Sequence, residues 1–154
     1  MAWLPDDFVH PTRVDLTTGH HLRPITEADT AIDYPAVMGS QARLWELFGA
    51  AWGWPPTDMT EEQDRADLAR HEREIAAHES FNYAIFNEGE TTVLGCIYID
   101  PPEERTPPGV DAEVCWWVVD EAVGSQLDGL LDVFVPAWIA ASWPFTNPRI
   151  GLPA

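Results

Sequence analysis

Lysine is absent from this sequence, and the fixed positive charges are eight arginines set against 26 aspartates and glutamates. The formal net charge of −18 excludes partners that are themselves polyanions, because nucleic acid and anionic membrane surfaces repel such a chain at long range. Cysteine is scarce too: two in 154 residues make no disulfide framework. No apolar run nears the roughly 20 residues that a membrane span requires. The opening Met1-Ala2-Trp3-Leu4-Pro5-Asp6-Asp7 lacks the basic and then apolar pattern of a signal peptide. Together these absences lead to the expectation of a cytoplasmic domain with reduced thiols.

What is present argues for a folded chain. The hydrophobic fraction is 45%, with eight tryptophans, where a disordered chain this acidic would lack aromatics. The length suits one domain, with residues 1–12, carrying Pro5 and Pro11, as an arm ahead of a domain over 13–154. The acidity has two readings: a solvated surface in an acid-biased proteome, or attraction of a cationic substrate such as an amine. Charge governs solubility and encounter rather than fold, so it does not choose between them.

Periodicity places the elements. Two short runs around Thr17-Thr18-Gly19 read as a hairpin. Helices are expected over 28–39, broken by Pro35, and over 41–49, where Leu44, Leu47 and Phe48 share a face. Thr60 with Gln63 forms a capping-box pattern ahead of a surface helix over 61–79, rich in i,i+4 charge pairs. Strands follow at 82–87 and 91–99, joined by the turn Glu88-Gly89-Glu90, and at 112–119, apolar enough to be central. A helix over 124–142 should kink at Pro136, and a short strand is expected around Arg149-Ile150.

Four stretches in this order resemble the GNAT superfamily of acyl-CoA-dependent N-acetyltransferases. His21-Leu22-Arg23-Pro24-Ile25-Thr26-Glu27-Ala28-Asp29 is similar to the family's opening strand and turn, and Val93-Leu94-Gly95-Cys96-Ile97-Tyr98-Ile99 to its fourth strand. Asp111-Ala112-Glu113-Val114-Cys115-Trp116-Trp117-Val118-Val119 is similar to the fifth, and Gly124-Ser125-Gln126-Leu127-Asp128-Gly129-Leu130-Leu131 stands where the family has its phosphate loop and helix. The resemblance implies an α/β domain, a central mixed sheet flanked by helices, with acetyl-CoA as co-substrate, no metal, and an amine of a small molecule or peptide as acceptor. The alternative is a non-catalytic module of the same fold that binds a ligand or partner.

The resemblance also implies roles. Glu113 is the first candidate base and Asp100 the second, with Tyr98 orienting the substrate. A gap between the strands holding Tyr98 and Glu113 would admit the pantetheine arm, and a backbone N–H near Ile97 would face the thioester carbonyl. Val118, Val119, Gly124, Ser125 and Gln126 would contact the cofactor, while Trp45, Trp52 and Trp54 would cover the acceptor. The loop departs from the family pattern: the Arg and the tight Gly-x-Gly are missing, and Asp120 and Glu121 precede it, where a helix N-terminus should face phosphate. Relative to the family the chain is short at its C-terminus, and an unpaired sheet edge there leads to the expectation of a homodimer.

Each candidate has a plainer explanation. Glu113 could be a solvated strand-start residue, Asp100 a cap before Pro101-Pro102, Tyr98 strand packing, and the tryptophans core filler. His71, Glu74 and His78 fall at i, i+3, i+7, more simply a solvated helix face than metal ligands. His20 and His21 adjoin the hairpin turn, and Cys96 and Cys115 read as small buried hydrophobes.

Overall fold

A computed structural model describes residues 2–153. Six strands lie side by side in chain order: β1 (Val14–Asp15), β2 (His21–Pro24), β3 (Phe81–Phe86), β4 (Val93–Asp100), β5 (Ala112–Val118) and β6 (Pro148–Ile150). The first five pair antiparallel, and β6 joins β5 in parallel. Parallel pairing of consecutive strands needs a crossover, which α4 (Gln126–Ser142) supplies. Three helices, α1 (Thr30–Gly39), α2 (Gln41–Trp52) and α3 (Glu61–Ala76), fill the connection between β2 and β3. The mixed α/β sheet matches the expected fold class.

Local chemistry explains most boundaries, including those that differ from expectation. The Thr60–Gln63 capping box forms in both directions and starts α3. α1 runs unbroken through Pro35, because buried Asp33 and Val37 and the Tyr34 hydroxyl, which donates to the Met59 carbonyl, hold it in place. α2 extends to Trp52 and stops where Gly53 turns left-handed at φ 62°. α3 ends three residues early, with His78 at φ 57°. β4 begins at Val93 because the Thr91 and Thr92 N–H groups donate to the Asn87 side chain. α4 continues past Pro136. β5 is the last strand but one, and β6 covers it over only three residues.

The sheet has two unlike faces. Alternate residues, Phe81, Tyr83, Ile97, Ile99 and Val114, point toward α4 and the N-terminal segment and are fully buried. There Tyr83 meets Trp138 edge-on at 5.1 Å, and Phe81 meets Trp143 at 4.9 Å. Residues 2–12 join this core: Trp3 stacks on Phe145 at 5.4 Å and donates its indole N–H to the Asp111 carbonyl, and Phe8 packs on Trp143. The opposite face lies under α1 and α3 and is incompletely filled. At its far edge Arg23 makes two hydrogen bonds to Asp29, of 2.7 and 2.9 Å, and two to Glu90.

Candidate functional site

The unfilled face holds a cleft of about 680 Å³. Its floor consists of Asn82, Cys96, Tyr98, Asp100 and Trp117, which share one face because Asn82 opposes Tyr98 and Cys96 opposes Trp117 in register. One wall is α3, presenting Asp64, Asp67, His71 and Glu74; Asp33 of α1 and the half-buried Trp52 and Trp54 complete it. The floor is rigidly set: the Trp117 indole donates to the Tyr98 hydroxyl at 2.8 Å, and Trp52 meets Tyr98 edge-on at 5.2 Å.

Seven carboxyl groups line this cleft against one guanidinium, that of Arg70, which is itself engaged by Glu74 at 2.7 Å and Asp67 at 3.6 Å. Asp33 and Asp64 are both buried. Burial, then the neighbouring Asp64 carboxylate, raises Asp33, and burial lifts Asp64 to about 6. Asp100 accepts from the Ser80 hydroxyl at 2.5 Å, and burial lifts its carboxyl to about 6. Burial and then Arg70 depress His71 to about 4, leaving it neutral at pH 7. The Cys96 and Cys115 thiols are both pushed up by burial, which makes them poor nucleophiles. Among the described residues, no group of three or more side chains could hold a metal ion.

A second groove of about 270 Å³ runs along the outer edge of β5, lined by Arg43, Trp116, Val118, Val123, Asp128 and Gly151 among others. The edge is open because β6 stops at Ile150, where the Gly151 N–H donates to the Val114 carbonyl. Val119 bonds inward to Leu94, so by alternation Val114, Trp116 and Val118 turn their backbone groups outward. Among the described residues no strand pairs with that edge beyond Val114; Arg43 donates to the Val118 carbonyl and forms an ion pair with Asp120 at 2.7 Å. A small pocket lined by Trp52, Asp100, Glu113, Cys115 and Gly151 lies between cleft and groove and shares residues with each.

The start of α4 is largely occupied by its own side chains. Gly124, at φ 77°, donates its N–H to the Asp128 carboxylate, and Ser125 accepts from the Asp128 N–H. The N–H groups of Gln126 and Leu127 are left facing outward without an acceptor.

Several expectations are redistributed. Tyr98, Asp100, Trp52 and Trp54 meet in the cleft, and Val118 lies in the groove. Trp45 does not join them; it is 44% exposed and packs over Gly49. The strands holding Tyr98 and Glu113 do not part, being paired at every residue from Gly95–Val118 to Asp100–Glu113. Ile97 is fully buried with strands on both sides, so its N–H is used by the sheet. An open strand edge lies one strand further on, at β5. Val119 is buried and its N–H is taken. Glu113 is held by Arg149 at 2.8 Å and by the Thr106 hydroxyl at 3.1 Å. His71 and Glu74 face the cleft rather than solvent, while His78 turns away to His10 at 3.0 Å. His21 is buried against Glu90 at 2.6 Å. Sequence reasoning missed Asp33, Asp64 and Arg43; Asp64 lies in a segment read as a surface helix and Asp33 in one read as a helix broken by Pro35, and no local pattern marks either as buried.

No family model matches the sequence, and no curated protein matches it. Solved structures do. The ribosomal L7/L12 alpha-N-protein acetyltransferase in complex with coenzyme A superposes with a TM-score of 0.63 at 16% identity, over 84% of this chain and 70% of that one. The ribosomal-protein-S5-alanine acetyltransferase from Vibrio fischeri gives 0.60 at 15%, over 85% and 69%. A nucleotide-linked sugar GNAT gives 0.56 at 10%, over 93% and 72%. The architecture of this chain is therefore the GNAT acetyltransferase fold.

Proposed function

We propose that this chain is an N-acyltransferase that moves an acetyl group from a coenzyme A thioester to the amine of a small molecule seated in the acidic cleft. The observation that carries the reading is Asp100: a carboxyl lifted to about 6, lining both the acidic cleft and the pocket that leads to the open edge of β5. A base of that strength is half or more ionised at neutral pH and well matched to relieving an ammonium of its proton. The cleft's size is that of a small-molecule site, and its acids and indole rings suit a cation.

The residues fit the thioester arm better than the diphosphate. The outward N–H and C=O of Trp116 and the N–H of Val118 are groups that a pantetheine amide chain pairs with, the Val118 carbonyl being taken by Arg43, and in this reading the Trp116 N–H donates to the thioester carbonyl. At the α4 start, the Gln126 and Leu127 N–H groups and Arg43 would meet phosphate, but Asp128, Asp120 and Glu121 oppose it. The donor supplies an activated acetyl group. Asp100 takes a proton from the ammonium, the neutral amine forms the N–C bond as the C–S bond breaks, the electron pair leaves on sulfur, and the proton shed by the new amide nitrogen passes through solvent to the thiolate, giving free thiol. In this reading Asp100 replaces Glu113 as base, because Arg149 and Thr106 hold the Glu113 carboxylate. Tyr98, bound by Trp117 and walled by Trp52, shapes the floor.

The test is release of free thiol from acetyl-CoA in the presence of primary amines such as n-butylamine. Turnover is expected, and Asp100→Asn should lower kcat about 100-fold. An unchanged kcat removes Asp100 from the base role, and no thiol release with any amine favours the second reading, a non-catalytic module, for which the acids around the α4 start are the specific observation. The homodimer belongs to the second reading, because a second copy covering the open edge of β5 would occupy the groove that the pantetheine arm needs; a single-chain mass by light scattering at micromolar concentration would remove it.

A further inference from the structure

We propose that the end of the cleft remote from Asp100 is a second cation site, formed by Asp64 and Asn82, and that the ligand of the cleft is a linear aliphatic polyamine. Its role as acceptor rests on the acyltransferase reading; the site itself does not. Two polar atoms carry the inference. Asp64 is 2% exposed and Asn82 3% exposed, both line the cleft, and Asp64 Oδ2 and Asn82 Oδ1 have no hydrogen-bond partner. Buried acceptors without donors are costly and rare in folded proteins. Both lack the same thing, an N–H group, and the one guanidinium lining the cleft is already engaged by Asp67 and Glu74. An ammonium has three donors and no acceptor, so it satisfies both atoms and the charge of the Asp33–Asp64 pair at once.

Spacing selects the length of the ligand. Asn82 lies opposite Tyr98, two residues along β4 from Asp100. At about 3.3 Å per strand residue, the two ends are roughly 7 Å apart. An extended aliphatic chain with an amine at each end bridges that interval, with Trp52, Trp54 and Tyr98 beside its methylenes. A short monoamine reaches only one end.

Calorimetric titration of the full chain with spermidine and with n-butylamine tests this without any acyl donor. Spermidine is expected to bind at least tenfold more tightly. Asp64→Asn, which keeps the shape of the side chain, and Asn82→Ala should each bring spermidine to within about threefold of n-butylamine, with cooperative melting confirming the fold. Glu62→Gln, removing a charge from an exposed position of the same helix, should change nothing. Equal affinity for the two amines, or an equal loss in Glu62→Gln and Asp64→Asn, overturns the inference. Acetyl transfer to n-butylamine with no preference for spermidine overturns it while leaving the acyltransferase reading intact. Spermidine binding that depends on Asp64, with no thiol released from acetyl-CoA, supports the site and removes the reading.

Discussion

Both faces of the sheet are built from the same strands, one residue out of phase. Phe81, Tyr83, Ile97 and Ile99 face a layer of indole and phenyl rings, where burial is satisfied by contact alone. Asn82, Cys96, Tyr98 and Asp100 face a helix whose inward residues include Asp64 and His71. On the first face each group is stabilised by being there; on the second, carboxyls are held out of water with too few donors. The difference separates the face whose burial is satisfied from the face that, in the proposed reading, a ligand completes. A face that is stable only in part without a ligand is the place where a ligand contributes most.

The comparison is broken most severely from the dry side. Trp138→Ala should cost about 3–5 kcal/mol, since the ring is buried against Tyr83, Phe134 and Trp143. Urea unfolding would read this as a lower midpoint with an unchanged slope. Arg23→Ala, which strands Asp29 and leaves Glu90 without its guanidinium, should cost roughly 3 kcal/mol. The cleft face answers in the opposite sense. The Asp64 carboxyl is raised in the folded state, so its stabilising contribution is present below its ordinary value and is lost as pH rises through about 6. Wild-type stability should therefore fall between about pH 4 and pH 7, by an amount on the order of 2 kcal/mol. Asp64→Asn should flatten that slope; a steeper slope in the variant would show that Asp64 is not the group responsible. The smallest effect belongs to the groove. Asp128→Ser, removing the carboxylate that takes the Gly124 N–H, should tighten acetyl-CoA several-fold, roughly 1 kcal/mol. S-acetylpantetheine, which has no diphosphate, should be indifferent to the change.

The dry face was legible in the sequence and the wet one only in part, through Tyr98, Asp100, Trp52 and Trp54. Leu127, Leu131 and Trp138 mark the buried side of α4 by spacing alone. The stretch from His21 to Asp29 was informative for a structural reason. Arg23 grips Asp29, and Asp29 in turn accepts from the Thr26 N–H and hydroxyl, so the pattern encodes a folded corner rather than chemistry. Asp64 and His71 look like any charged residues of a helix without Gly or Pro, because composition does not say which polar residues turn inward. The ion pair between Glu113 and Arg149, which in the proposed reading moves the base role to Asp100, joins positions 36 apart and leaves no local trace. The open edge falls at β5 rather than between β4 and β5 because β6 pairs so briefly, a matter of strand length that no side chain announces.

Gly95 stands between the two faces. A Cβ there would run into the Trp117 carbonyl, and Trp117 holds the Tyr98 hydroxyl. The missing carbon atom is what lets β4 and β5 pair closely at that point, beneath the floor on which Trp117 and Tyr98 meet. A side chain at Gly95 would push the two strands apart there, meeting backbone rather than any side chain that lines the cleft.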